Sequence, residues 1–482
     1  MHRLYSLALG AVVTALTLSA GSASAAGLTR QPYLQRVEPR SATVAFRLDG
    51  SCAPSVRYGT QGATHQVAQS SASGRIHAIR LDGLQPGTEY TYLVDACGSR
   101  TSPQRFTTAP VPGTRSVHFT AVGDFGMNNN DQRDVANAML RRKPELFLAL
   151  GDNAYSSGTE AELQDNLFEP MAPLLSQVPL FATPGNHEYV TNQAQPYFDN
   201  LYLPTSPAGG ERYYSFDWGH VHFVSLDSNC VIGLASSDRC TLAAQKKWLE
   251  EDLAASDAAW KVVFFHHPPW SSGDHGSQLK MRREFAPLFE KYGVDLVLTG
   301  HDHHYERSYP MRGDAMASSA GRGIPYLVVG SGGASLRPFA GGKPSWTVVR
   351  NDNDHGYLDV RVEEGTLTAQ VLTPSGKLMD SFTLTKQLPP ASVPAPTPAP
   401  PGTPAPSTPP VAEQPGSTSP VTPPRDSVPT SPELPGPPGA QPGDLGQGAA
   451  GGCSAGPMAA LFPAGALLLA GALRRRRRPD AR

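Results

Sequence analysis

The chain is short of net charge, of cysteine and, near its end, of anything that could form a core. Its 40 Lys+Arg are matched by 42 Asp+Glu, leaving −2 over 482 residues, so no global basic field argues for nucleic acid as a partner. Cysteines number five, too few for a disulfide-dense scaffold. From Pro389 to about Gly448 aromatic and large aliphatic residues are almost missing, which excludes a packed core there. Many of the 47 prolines crowd into that stretch, so residues 388–450 are expected to form an extended, polyproline-like, solvated stalk. The first apolar run, Leu4–Leu18, is too short to span a bilayer comfortably. It follows Met1-His2-Arg3 and precedes Ala23-Ser24-Ala25, so residues 1–25 read as a secretory signal that takes no part in the fold.

What is present divides the remainder. Four well-spaced cysteines, Cys52, Cys97, Cys230 and Cys240, suit two disulfides in an exported protein. Three pairings are possible, and Cys52–Cys97 with Cys230–Cys240 is favoured because each pair then falls inside one domain. Residues 28–110 alternate apolar and polar over short runs such as Ala42-Thr43-Val44-Ala45-Phe46-Arg47-Leu48, with turn residues between them, as in a small all-β sandwich. Leu84-Gln85-Pro86-Gly87-Thr88-Glu89-Tyr90-Thr91-Tyr92 resembles the tyrosine-containing strand of fibronectin type III domains. Beyond the stalk, residues 451–482 hold Gly451-Gly452-Cys453, an apolar segment Pro457–Leu473 and a basic run Arg474–Arg478. That is a marginal spanning helix with a basic stop. The arrangement resembles bacterial C-terminal sorting tags of the MYXO-CTERM type, which implies attachment to the membrane or cell envelope and a surface or extracellular location.

After a Pro/Gly joint at 109–115 the period changes. Val117–Val122 reads as a strand, Asp131–Arg142 as a helix and Glu145–Leu150 as a strand, an order that predicts a parallel pair with a crossover helix. Further strands are expected at Pro179–Ala182, Val221–Leu226, Lys261–Phe265 and Asp295–Leu298, helices around Ala244–Ala255 and Leu279–Tyr292, and more strands up to Thr385. Residues 115–387 are therefore expected to form an α/β domain, a four-layer α/β/β/α sandwich preceded by the all-β one.

Ligands of open α/β sheets bind beyond the carboxyl ends of strands, and five strands here end in the same kind of residue. These ends are Gly123-Asp124, Gly151-Asp152-Asn153-Ala154-Tyr155, Gly185-Asn186-His187-Glu188, His266-His267-Pro268 and Gly300-His301-Asp302-His303. Glycines let the backbone turn sharply beside the donors. Carboxylate, amide carbonyl and imidazole together suit Fe, Mn or Zn and not a soft thiolate site.

These five motifs resemble those of calcineurin-like metallophosphoesterases. Gly151–Tyr155, together with Gly300–Arg307 and its trailing Tyr305-Glu306-Arg307, resembles the purple acid phosphatase branch, over roughly Gln31 to Thr385. The resemblance implies a binuclear centre of Fe³⁺ and a divalent ion (Zn, Mn or Fe). One metal would be held by Asp124, Asp152, Tyr155 and His303, the other by Asp152, Asn186, His266 and His301, with Asp152 shared. Hydroxide on the metals would attack a phosphate monoester in line with the leaving alcohol. His187 is expected to hydrogen-bond the phosphate or the nucleophile, and His275, on a glycine-flanked loop, to protonate the leaving group. The Tyr155 phenolate would favour ferric iron.

Other histidines are set aside. Gly219-His220-Val221-His222 matches Gly-His-x-His but precedes its strand, at the wrong edge of a parallel sheet, and alternation sends both rings to one face. His304 is expected to support the site from behind, His267 to be structural and His118 to pack within its strand. An acid phosphatase is the leading expectation. Its alternatives are a phosphodiesterase or nucleotidase on the same core, and a surface adhesion protein with an inert phosphatase domain. Substrate and oligomeric state are not legible.

Overall fold

The computed structural model describes residues 26–235, 240–318, 322–339 and 341–388. The expected leader at 1–25, the stalk from 389 on and the anchor at 451–482 with Cys453 lie outside the described residues. Among the described residues no helix is long and apolar enough to cross a membrane.

The N-terminal part is two antiparallel sheets. Leu28–Gln35, Ser41–Cys52 and Gly74–Asp82 form one; Gln66–Gln69, Ser55–Thr60, Glu89–Ala96 and Ser99–Arg100 form the other, with Gln104–Thr107 also paired to Glu89–Ala96. Val44, Phe46, Leu81, Tyr90, Tyr92, Val94 and Phe106 are buried between them, and Cys52–Cys97 joins the two sheets. Tyr90 accepts the Gln85 N–H at 2.9 Å through its hydroxyl, tying the strand back to the turn before it. The alternating strand at 42–48 is buried on both faces from Ala42 to Phe46, where alternation alone predicts one. Its second face meets the rest of the chain: Arg47 donates to Asn200 Oδ1 at 2.6 Å. Nearby, Arg30 is 2% exposed, donates to Gln164 Oε1 at 2.7 Å and to Asn200 Oδ1 at 2.6 Å, and lies 3.7 Å over the Phe168 ring.

From residue 116 the chain builds two larger sheets. The first runs Leu180–Ala182, Leu146–Ala149, Ser116–Val122, Tyr357–Glu363, Thr366–Leu372, Leu378–Thr385. Its first three strands are parallel, and Asn130–Arg142 supplies the expected crossover helix. That helix is set by local chemistry: the Asn129 side chain accepts the Gln132 N–H, and Lys143 closes the last turn with φ 55°. The second sheet runs Tyr214–Trp218, Val221–Ser225, Trp260–Phe264, Leu296–Thr299, Tyr326–Val329, Tyr305–Ser308, Thr347–Asn351. Its four parallel central strands carry the continuous apolar runs that sheets covered on both faces require.

Side-chain alternation sorts the layers. Phe223, Val262, Phe264, Leu296 and Leu298 face the first sheet, in one core with Phe119 and Ala121. Phe119 meets Phe223 edge-on at 5.2 Å, and Phe181 stacks on Phe216 at 3.8 Å. Val224, Val263 and Val297 point the other way, into a core with Trp248, Leu249 and Leu253 of helix Leu242–Ala255 and Phe285 and Phe289 of helix Leu279–Lys291. Helix, sheet, sheet and helix thus succeed one another. The parallel strands of both sheets release their chains at a common rim.

Candidate metal centre

Three residues at that rim leave their strands with positive φ: Asp124 at 58°, Asp152 at 51° and His301 at 74°. Non-glycine residues rarely hold this left-handed backbone, and its concentration here marks a place where position is maintained against local preference. Glycines make the approach possible. A Cβ on Gly151, itself at φ +94°, would stand 2.4 Å from His266 Nδ1, and one on Gly300 would stand 2.5 Å from Asp124 Oδ2.

Each carboxylate has one oxygen fixed by backbone and the other left for the site. The His301 N–H donates to Asp124 Oδ2 at 2.8 Å, and the His187 N–H to Asp152 Oδ1 at 3.1 Å. Asp124 Oδ1 then meets the Tyr155 hydroxyl at 3.1 Å, which in turn lies 3.1 Å from His303 Nε2. Asp152 Oδ2 lies 3.3 Å from His266 Nε2, which is 3.1 Å from Asn186 Oδ1 and 3.2 Å from His301 Nδ1. All seven side chains singled out as ligands therefore come together, Tyr155 and His303 on the Asp124 side, Asn186, His266 and His301 on the Asp152 side. One oxygen or nitrogen from each of Asp124, Asp152 and His266 falls within 4.8 Å of the others.

The donor set fits cations on three grounds. His266 Nδ1 donates to the Leu150 carbonyl at 2.9 Å and His303 Nδ1 to the Ser335 carbonyl at 3.0 Å. Those bonds leave the Nε2 of each ring facing the carboxylates, as a metal-binding imidazole requires. Charge says the same. Burial opposes a charge on His266, yet Asp152 and Asp124 overcome it and hold the imidazolium up to about 9. Burial and Asp152 push Asp124 up, and burial and Asp124 push the Tyr155 phenol far up, so this crowd of acceptors calls for positive charge. Finally, burial keeps His301 neutral with the help of His267 and His266, and His303 is brought down to about 4 by burial and Arg337. Neutral imidazoles are the form that ligates.

The two remaining candidates stand at the mouth. His187 Nδ1 donates to the Ser156 carbonyl at 2.6 Å, its ring lies 4.5 Å from that of Tyr155, and Nε2 is 3.8 Å from Asp152 Oδ2. His275 stacks on His301 at 4.3 Å and 23°, and its Nε2 accepts from Arg337. Burial and Arg337 lower its pKa.

The histidines set aside are accounted for. His220 bonds the carbonyls of Thr114 and Glu364, His222 lies between Asp217 at 2.7 Å and Asp252 at 2.9 Å, and His118 is 3.0 Å from Asp359. His304 is buried 3.5 Å from Glu306, beneath Gly273, whose Cβ would stand 2.3 Å from its ring. His267 is nearer the site than the sequence suggests. Its Nδ1 meets Ser228 Oγ at 2.7 Å, but its ring centroid is 4.3 Å from that of His301 and a ring nitrogen joins the His266–His301 cluster.

Sequence reasoning missed the supports. Glu188 accepts the N–H groups of Gly185, Asn153 and Ala154, and Asn166 donates to the Tyr155 carbonyl at 2.6 Å. Asp302, the middle residue of Gly-His-x-His, accepts from Ser271 Oγ at 2.5 Å and from the His275 N–H at 2.9 Å. Arg337 belongs to no motif.

Residues 117–305 match the calcineurin-like phosphoesterase family and residues 323–381 match the iron/zinc purple acid phosphatase-like protein C family. The chain is 31% identical over 304 residues to purple acid phosphatase 23 of Arabidopsis thaliana, covering 54% of this chain and 63% of that one. It therefore spans under two thirds of that relative's length. To acid phosphatase type 7 of Mus musculus it is 26% identical over 376 residues, 68% of this chain and 83% of the mouse protein. A purple acid phosphatase from yellow lupin seeds shares the fold, with a TM-score of 0.62 at 20% identity over 73% of this chain and 74% of that one.

Proposed function

The chain is a calcineurin-like metallophosphoesterase with a purple acid phosphatase-like C-terminal domain, and from that premise we propose that it is an acid phosphatase hydrolysing phosphate monoesters at a binuclear metal centre. The observation that carries this is the convergence of Asp124, Asp152, Tyr155, Asn186, His266, His301 and His303.

Asp124, Asp152, Tyr155 and His303 would hold ferric iron, and Asp152, Asn186, His266 and His301 a divalent ion. Such a pair, when bound, supplies Lewis acidity that lowers the pKa of water and offsets the charge on the phosphoryl oxygens. The protein's part is placement. Backbone N–H groups hold one oxygen of each aspartate, so the other oxygen faces the site without choosing among rotamers. His187, anchored through Nδ1 to Ser156, turns Nε2 inward to orient a phosphoryl oxygen. His275 is the proton source for the leaving alcohol. Burial and the neighbouring guanidinium lower its pKa.

Two disulfides, Cys52–Cys97 and Cys230–Cys240, support export to an oxidising compartment. Surface attachment through residues 451–482 rests on the sequence alone.

Metal analysis of purified protein, with a panel of phosphate monoesters and diesters, tests the reading. Close to two metals per chain and monoester turnover abolished by Asp152→Ala or His301→Ala are expected. A tyrosinate-to-iron absorption band lost in Tyr155→Phe would identify the iron ligand. Turnover of diesters alone would move the assignment to a phosphodiesterase. Absence of turnover with metals bound would leave the inert reading.

A further inference from the structure

We propose that Arg337 is a substrate-binding residue that takes the third terminal oxygen of a phosphate monoester and so sets preference for monoesters over diesters. This rests on the phosphate-ester reading above and adds to it a residue outside every motif.

Arg337 lies across both histidine-bearing loops. Its backbone N–H donates to the His303 carbonyl at 3.2 Å, and its guanidinium donates to Nε2 of His275, the ring stacked 4.3 Å from His301.

Its partners are the second observation. Two arginines of this fold take forked carboxylates. Arg307 donates to both oxygens of Asp380 at 2.6 and 3.0 Å, and Arg142 to both of Asp359 at 3.0 and 3.2 Å. Among the described residues Arg337 has no such pair. Its guanidinium is 33% exposed, donates to the His275 imidazole, and lies 4.0 Å from Asp274, itself 65% exposed. A surface pair at that distance contributes little. A guanidinium with five N–H donors in a planar fork matches a phosphoryl group, and this one keeps most of them uncommitted at the mouth of a phosphate site.

A purely structural role is the competing account, in which Arg337 pins the loop carrying His275. That loop is already pinned from behind. Asp302 holds Ser271 Oγ at 2.5 Å and the His275 N–H at 2.9 Å, and Glu306 holds the Ser272 N–H and Oγ at 2.7 Å each. The guanidinium adds nothing the loop lacks.

The chemistry selects the substrate class. A monoester carries three non-bridging oxygens and nearly two negative charges; a diester carries two oxygens and one charge. Were two oxygens taken by the paired cations, only a monoester would offer a third, and only its dianion would repay a further positive charge.

The test uses metal-loaded wild type, Arg337→Ala and Arg337→Lys, with 4-nitrophenyl phosphate, bis(4-nitrophenyl) phosphate and inorganic phosphate as probes, and metal content measured on each. Loss of a charge-assisted hydrogen bond in Arg337→Ala should lower monoester kcat/KM about 10–100-fold and weaken phosphate binding about 10-fold. Diester kcat/KM should fall less than about 3-fold, with metal content unchanged, and lysine should restore part of the monoester loss because it returns the charge without the fork. Equal losses on both esters, or no loss on the monoester, would overturn the proposal and leave the phosphatase reading standing. If wild type cleaves neither ester, that reading fails. Calorimetric phosphate binding still decides this one: affinity unchanged in Arg337→Ala sinks it.

Discussion

Glu188 holds Gly185 by the backbone, accepting its N–H at 2.6 Å, and the same buried carboxylate accepts the N–H groups of Asn153 at 2.8 Å and Ala154 at 3.1 Å. One side chain thus spaces the loop that presents Asn186 from the loop that presents Asp152 and Tyr155. In Glu188→Gln one acceptor oxygen becomes an amide that must face an N–H. Leaving a buried donor unmet costs about 1–3 kcal/mol, and disturbing a ligand's support lowers metal affinity about 10–100-fold. Thermal unfolding and competitive metal titration of Glu188→Gln should show both effects. A variant that binds metal as wild type does would remove Glu188 from the site's architecture.

Gly185 admits nothing larger. A Cβ there would stand 2.0 Å from Asp152 Oδ1 and 2.4 Å from the Asp152 nitrogen, so Gly185→Ala must displace the Asp152 carboxylate. Metal content is expected to fall from two ions per chain to one or none. Gly341→Ala, where an added Cβ meets nothing within 4 Å, should retain both ions and serves as the control.

His222 makes stability depend on pH. Burial opposes its charge, but hydrogen bonds to Asp217 and Asp252 outweigh burial and raise it to about 9. A folded pKa above the unfolded value of about 6.5 means that the folded chain binds the proton more tightly. The stabilisation is therefore fully present below about pH 6.5 and is lost as pH rises toward about 9. Asp217 is half exposed, which discounts the effect to about 1–2 kcal/mol. Wild type minus His222→Gln, in melting temperature, should shrink across that window; a constant difference from pH 6 to 9.5 would contradict the linkage.

The seven ligand candidates are legible in the sequence because buried parallel strands announce themselves as short apolar runs, and the residues just past each run land on one rim. Val294–Leu298 with Gly300-His301-Asp302-His303 after it is the clearest case. The pairing Cys52–Cys97 with Cys230–Cys240 is legible for a similar reason, since each bond stays within a local stretch of fold. The hidden part depends on the course of loops. Arg337 reaches His275 across 62 positions of sequence, and nothing around it signals this. Arg30 sits on a strand whose alternation suggests one free face, yet it is buried under Phe168, because that face docks on another part of the chain. Asp302 and Glu188 sit inside recognised motifs, but their partners are backbone groups of other loops, which no pattern of side chains reveals.

The two disulfides should fail differently when removed. Chain-entropy reasoning credits a crosslink by the loop it closes. The separation of 45 at Cys52–Cys97 corresponds to about 4 kcal/mol and the separation of 10 at Cys230–Cys240 to about 3 kcal/mol. By that measure Cys52→Ser/Cys97→Ser is the more damaging pair for melting temperature. The bond it removes lies at the N-terminal sheets, outside the elements that carry the candidate ligands, so metal content and any tyrosinate band should survive. Cys230 belongs to the short helix Ser228–Ile232, whose Asn229 donates to the carbonyls of Pro184 at 3.2 Å and Gly185 at 3.3 Å, beside the candidate ligand Asn186. Ser228 of the same turn meets His267 Oγ-to-Nδ1 at 2.7 Å. Loosening that helix therefore loosens the Asn186 side of the site, and Cys230→Ser/Cys240→Ser should weaken the divalent ion's binding more than it lowers the melting temperature. Calorimetry and metal titration on the two double variants separate these effects. If the Cys52/Cys97 variant loses metal while the Cys230/Cys240 variant keeps it, the path from Asn229 to Asn186 carries no such influence.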